Sequence, residues 1–92
     1  MRILGYIEHP TLKITIFKND DKLSVKFENM MYEQTYKFRS ALNLESADDI
    51  RQVIDAQYIA QVEQDLTRMH QTQMTALMRR ETVDENEFDE IL

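Results

Sequence analysis

The chain has 92 residues, with no cysteine, one glycine and one proline. That length fits one domain, and the lack of thiols excludes a disulfide framework, a thiolate metal centre and a cysteine nucleophile. Residues 1–45 carry seven Lys/Arg against six Asp/Glu and residues 46–92 carry four against eleven, so the net charge of −6 comes from the second half.

Such a field repels phosphate backbones and disfavours nucleic acid as a generic partner. Stability must come from packing or from a second copy of the chain. A small secreted domain would often carry disulfide staples, so a soluble cytoplasmic protein is expected. The opening Met1-Arg-Ile-Leu-Gly-Tyr-Ile-Glu8 is too short an apolar stretch for a signal peptide. Nothing approaches the roughly 20 apolar residues of a membrane-spanning helix.

The first forty residues alternate with period two, the mark of half-buried antiparallel strands. Strands are expected over Arg2–Glu8, Thr11–Lys18, Lys22–Glu28 and Met31–Arg39. Leu12, Ile14 and Ile16 share one face of the second, and Leu23, Val25 and Phe27 one face of the third. The fourth sets Tyr32, Gln34, Tyr36 and Phe38 opposite Met31, Glu33, Thr35 and Lys37. His9-Pro10-Thr11, Asn19-Asp20-Asp21 and Asn29-Met30 supply turn chemistry between them, with Asn29 a candidate for positive φ. Four strands joined by three short turns make an antiparallel β-meander.

From Ser46 the period changes. Ser46-Ala47-Asp48-Asp49 resembles a capping box with Asp in the place of Glu, and neither Pro nor Gly follows through Arg80. At ~100° per residue, Tyr58, Ile59, Val62, Leu66, Met69, Ala76 and Leu77 form one stripe, whereas Ile50, Val53 and Ile54 lie off it. This phase slip predicts a short helix over about 47–55, a break near Asp55–Gln57 and a long helix over about 57–79. The overall expectation is an α+β domain over residues 1–80, followed by an acidic, disordered tail over 81–92. That tail holds six acids and no base; its sharper reading is a docking motif anchored by Phe88, Ile91 and Leu92.

Little in the chain carries chemistry. With a single glycine, Gly5, no phosphate-binding loop is possible, and none of Ser24, Ser40 and Ser46 sits in a nucleophile context. His9 and His70 lack the convergent neighbours a metal site needs and are assigned to surface or packing roles. No catalytic, cofactor-binding or metal-ligating residue is expected, and no cofactor. Tyr32, Tyr36 and Phe38 stand near Lys26, Lys37 and Arg39, a combination that can stack single-stranded nucleic acid. Their regular spacing assigns the rings instead to the inner face of the sheet.

The long helix is more informative. Ile59, Val62, Leu66, Met69, Gln73 and Ala76 follow the 3-4-3-4-3 rhythm of a coiled-coil seam, with Leu77 beside its end, and Met69, Met74 and Met78 add adaptable apolar surface. The runs Gly5–Lys18, Tyr32–Arg39 and Met69-His-Gln-Thr72 resemble a family of small uncharacterised bacterial proteins. The resemblance implies a compact bacterial domain and brings no assigned activity or functional residue.

The leading expectation is therefore a non-enzymatic protein-protein interaction or homo-oligomeric module. It would bind a homodimer mate or an unidentified protein through Ile59, Val62, Leu66, Met69, Gln73, Ala76 and Leu77. The first alternative is a nucleic-acid-associated protein using the strand face of Lys13, Lys26, Lys37 and Arg39. The second is a small enzyme or ligand-binding protein with a pocket between sheet and helix, built around His9 or His70.

Overall fold

The computed structural model describes residues 1–39 and 43–91, with side chains as far as Glu81. The expected α+β architecture is present: strands β1 (Arg2–Ile7), β2 (Lys13–Asn19), β3 (Lys22–Glu28) and β4 (Glu33–Phe38) precede helices α1 (Ala47–Val53) and α2 (Ala56–Ile91). The strands form one antiparallel sheet in the order β1-β2-β3-β4.

Alternation decides which face is covered. Ile16 pairs with Val25 and Val25 with Tyr36, while Ile14 pairs with Phe27 and Phe27 with Gln34, so these six share the inner face. On β1 the register shifts between Ile3 and Gly5, a bulge that leaves Leu4 as the extra residue and lets it pack against the core. Gly5 lies under α1: a Cβ there would meet Arg51 Nη2 at 2.9 Å. The same guanidinium donates to the Tyr6 carbonyl at 3.1 Å, which satisfies an acceptor on an edge strand.

The turns use side chains as well as backbone. Asp20 adopts φ 56° between β2 and β3. Asn29 does not take the left-handed conformation considered for it; its Oδ1 instead accepts from the N–H groups of Met31 at 2.9 Å and Tyr32 at 2.8 Å. That is an Asx turn, an alternative solution open to the same residue type.

The capping box forms as expected. Ser46 Oγ accepts from Asp49 N at 3.1 Å, and Asp49 Oδ2 accepts from Ser46 N at 3.1 Å and Glu45 N at 2.9 Å. The Glu45 and Ser46 backbone donors hold the Asp49 carboxyl below the usual carboxylate range. Their contribution to stability is present above that range and is lost as the pH falls through it.

The helix breaks where the apolar phase slips. Ile54 closes α1 through its N–H to the Ile50 carbonyl, and Asp55 Oδ1 accepts from Tyr58 N at 2.8 Å. Asp55 thus caps a new helix, and no glycine is needed. The break redirects the chain, so that α1 packs on β1 and α2 on β4. The core lies between: Leu12, Ile14, Ile16, Leu23, Val25 and Phe27 from the strand half meet Ile50, Ile54, Val62 and Leu66 from the helices.

Only the first part of α2 has a sheet to rest on. Its 36 residues reach ~54 Å at ~1.5 Å per residue, and the molecule measures 64 × 27 × 19 Å. Among the described side chains, every one from His70 to Glu81 is exposed. Helix α2 runs past its expected end near 79 to Ile91, through the segment expected to be a disordered tail, whose side chains beyond Glu81 lie outside the described residues.

Leu66→Ala should cost about 2–5 kcal/mol because it opens a cavity in a small core. Asp55→Ala should cost about 1 kcal/mol through the lost cap. Urea unfolding of both variants checks the values, and a cost of Asp55→Ala near zero would show that the break does not depend on its cap.

Candidate interaction surface

The residues of the expected seam divide into two groups. Val62 and Leu66 are 1% and 2% exposed and belong to the core, with Ile59 and Met69 partly buried against it. Gln73, Ala76 and Leu77 lie beyond the sheet and are exposed. The first four are therefore occupied within the chain. A partner can reach them only by unfolding this contact.

A second line of residues remains open. Glu63, Thr67, His70, Met74 and Leu77 follow one another at intervals of 4-3-4-3, about 80° round the helix from the expected seam at ~100° per residue. Met74, Leu77 and Met78 are 42%, 43% and 63% exposed. The sequence pattern shows only the first line and sets Leu77 beside its end, although Leu77 also continues the second. Only the position of the sheet separates them.

The lower end of this line forms one wall of a cleft of about 430 Å³. Leu12 and Leu66 lie in it, Thr11 and the turn Asn29–Tyr32 face the helix across it, and Glu63, Thr67 and His70 stand on α2. Met30 and Met31 are exposed at the turn. The Tyr32 hydroxyl lies 3.1 Å from His70 Nδ1, and the two rings meet edge to face at 5.8 Å. This contact attaches the β3–β4 turn to the last turn of α2 that the sheet supports.

His9 holds the other turn. Its Nδ1 accepts from the N–H groups of Thr11 and Leu12, each at 3.2 Å, while Nε2 stands 3.4 Å from Glu63 Oε1. Thr11 Oγ1 is also 3.3 Å from Nδ1, so a hydroxyl, an imidazole and a carboxylate stand in series. The series does not make a nucleophile. The Nδ1 lone pair is already committed to two backbone donors and has no capacity left to take a proton from Thr11. Among the described residues, no group of three or more His, Asp or Glu is placed to hold a metal ion.

The outer face of the sheet carries Lys13, Thr15, Lys26, Thr35 and Lys37, by their pairing with one another and with Glu28, Ser24 and Glu33. Lys26 Nζ lies 3.8 Å from Glu28 and 4.0 Å from Glu33, and 5.5 Å above the Phe17 ring. Tyr32, Tyr36 and Phe38 are instead packed against the core. Those three rings and the bases occupy opposite faces; the rings on the outer face are Phe17, under Lys26, and Tyr6, level with Thr15.

The inner rings form a cluster: Phe27 meets Tyr36 edge to face and Tyr58 nearly parallel, each at 5.8 Å. The Tyr36 hydroxyl donates to Gln34 Oε1 at 3.0 Å. Burial, followed by the Asp65 carboxylate, raises Tyr36 above the ordinary phenol value. Burial, followed by Tyr36, pushes Tyr58 up to about 12.

No family model, curated protein or solved structure matches this chain. Among the described residues, no helix is long and apolar enough to cross a membrane.

The tyrosine cluster sets an alkaline limit. A phenol that ionises later in the folded state than in the unfolded one stabilises the fold fully below the unfolded value of 10.0, and this contribution is lost as the pH rises towards about 12. Melting temperatures taken between pH 8 and 12 should fall beyond pH 10, and less steeply in Tyr58→Phe. Parallel curves for the two proteins would exclude Tyr58 as the source.

Proposed function

We propose that this protein is a non-enzymatic protein-protein interaction module that binds through the distal half of α2. The observation that carries the reading is the length of helix beyond the sheet, with Met74, Leu77 and Met78 exposed on it. Large apolar side chains grouped along a helix mark a contact surface more often than scattered single ones do. Methionine suits such a surface because its flexible thioether adapts to a partner. A helix projecting without tertiary support gains most of its stability once an amphipathic face is covered.

Two features weigh against the nucleic-acid alternative. The outer sheet face has acids among its bases, and Tyr32, Tyr36 and Phe38, the rings that reading would stack, are packed against the core. The pocket alternative has partnered histidines to draw on, but their ring nitrogens hold turns in place. A cytoplasmic location belongs to this same reading.

The surface is testable without disturbing the core. Met74→Ser, Leu77→Ser and Met78→Ser combined should change unfolding stability by less than about 1 kcal/mol, as exposed sites do. The triple variant should lose association that the native chain displays, measured by light scattering across concentration and by co-purification from host lysate. A native chain that stays monomeric, and captures nothing the triple variant does not also capture, would sink the proposal.

A further inference from the structure

We propose that β4 is a second contact surface, through which two copies of the chain pair edge to edge, antiparallel and centred on Thr35. Their two sheets then join into one. The proposal goes beyond the reading of distal α2, because it uses none of that part of the helix.

The two edges of the sheet are not alike. β1 is interrupted by the bulge at Leu4, and Arg51 donates to its Tyr6 carbonyl. Both devices discourage the addition of another strand. β4 has neither: its register with β3 runs without a shift from the Glu28 and Glu33 pair to the Leu23 and Phe38 pair. It contains neither Pro nor Gly.

Antiparallel pairing fixes which backbone groups of β4 face outward. Asn29 N donates to the Tyr32 carbonyl at 3.0 Å. In the same register, Gln34, Tyr36 and Phe38 are then the residues that exchange hydrogen bonds with β3. The N–H and C=O groups of Glu33, Thr35 and Lys37 point away from it. Among the described residues, no hydrogen bond reaches these groups. All three residues are exposed, and α2 runs beneath the sheet, where Glu63 meets His9 in the β1–β2 turn.

Such a strand is complementary to itself. Centred on Thr35, the register sets Thr35 against its own copy and Glu33 against the partner's Lys37, twice over by symmetry. Each of the three pairs exchanges two backbone hydrogen bonds. A shift of two residues leaves Glu33 or Lys37 opposite a residue outside β4, and a parallel pair sets like charges side by side.

The side chains agree with the backbone. Lys26 lies 3.8 Å from Glu28 and 4.0 Å from Glu33, so two carboxylates share one ammonium. None of the described acids lies within ion-pair distance of Lys37. Pairing brings Lys37 of one copy to Glu33 of the other. Lysine on an edge strand commonly blocks pairing; here it selects one register instead. On the inner face, Tyr32 comes opposite the partner's Phe38, and these half-buried rings cover each other. The arrangement is isologous and closes as a dimer.

The chain has no cysteine, so introduced thiols report the register. Two copies of residue 35 stand about 5.5 Å apart in this pair, within the ~7 Å reach of a disulfide. Two copies of residue 33 are offset by ~13 Å along the strands. Under mild oxidation the full-length Thr35→Cys protein should double in mass, and Glu33→Cys should not. Light scattering across concentration should show a native dimer that Lys37→Glu weakens about tenfold and added Glu33→Lys restores. Thr35→Pro removes an N–H that β3 does not use, so it should leave the chain folded by circular dichroism and abolish the β4 pair.

The combined Met74, Leu77 and Met78 variant should keep the Thr35→Cys link and lose only the association that distal α2 adds. A native chain that is monomeric at every concentration overturns the proposal. So does a dimer unchanged by Lys37→Glu and Thr35→Pro, or one in which Glu33→Cys self-links as readily as Thr35→Cys. If the distal variant alone abolishes pairing, α2 is the contact and β4 is not.

Discussion

The structure is governed by a mismatch of lengths. A strand of seven residues, as in β2 and β3, spans about 23 Å at ~3.3 Å per residue, and α2 is more than twice as long. A sheet this small can bury about the first four turns of the helix, from Ala56 to Met69, and no more. What lies beyond has to be stabilised by its own hydrogen bonds, by water or by another molecule. The core therefore ends at Leu66 and Met69, and the same helix changes character within one turn, from a structural element to a projecting arm.

The break at Asp55 makes the mismatch possible. Were α1 and α2 continuous, Ile50 and Ile54 would point away from the stripe of Val62 and Leu66, and one of the two groups would face water. Capping a new helix at Asp55 lets both groups enter one core from different directions. It costs about one helical hydrogen bond, replaced by the Asp55 side chain, and places four apolar residues in the interior. Burial at roughly 1.5–3 kcal/mol for each large apolar side chain outweighs that loss.

Much of this could be read from the chain because it depends on local periodicity. Strand faces, the capping box at Ser46 and Asp49, and the break near Asp55 each follow from residues within a few positions of one another. Features that depend on distant partners could not be read. The β1 bulge at Leu4 answers to β2, and the contacts of His9 to Glu63 and Tyr32 to His70 bridge about fifty and forty residues. The seam is the clearest case. Its rhythm was visible from Ile59 to Ala76, yet the sheet consumes Val62 and Leu66 and leaves open a line rotated towards Met74 and Leu77. Periodicity identifies faces; only the fold says which face is already taken.

Charge along α2 raises a further question of stability. The helix begins with Asp55 accepting a backbone N–H, which suits the positive end of its dipole, but its last turn holds Asp89 and Glu90 and no base. Anions at that end oppose the dipole, by about 0.3–1 kcal/mol each where exposed. Shortening the acidic run would relieve that strain in an isolated chain.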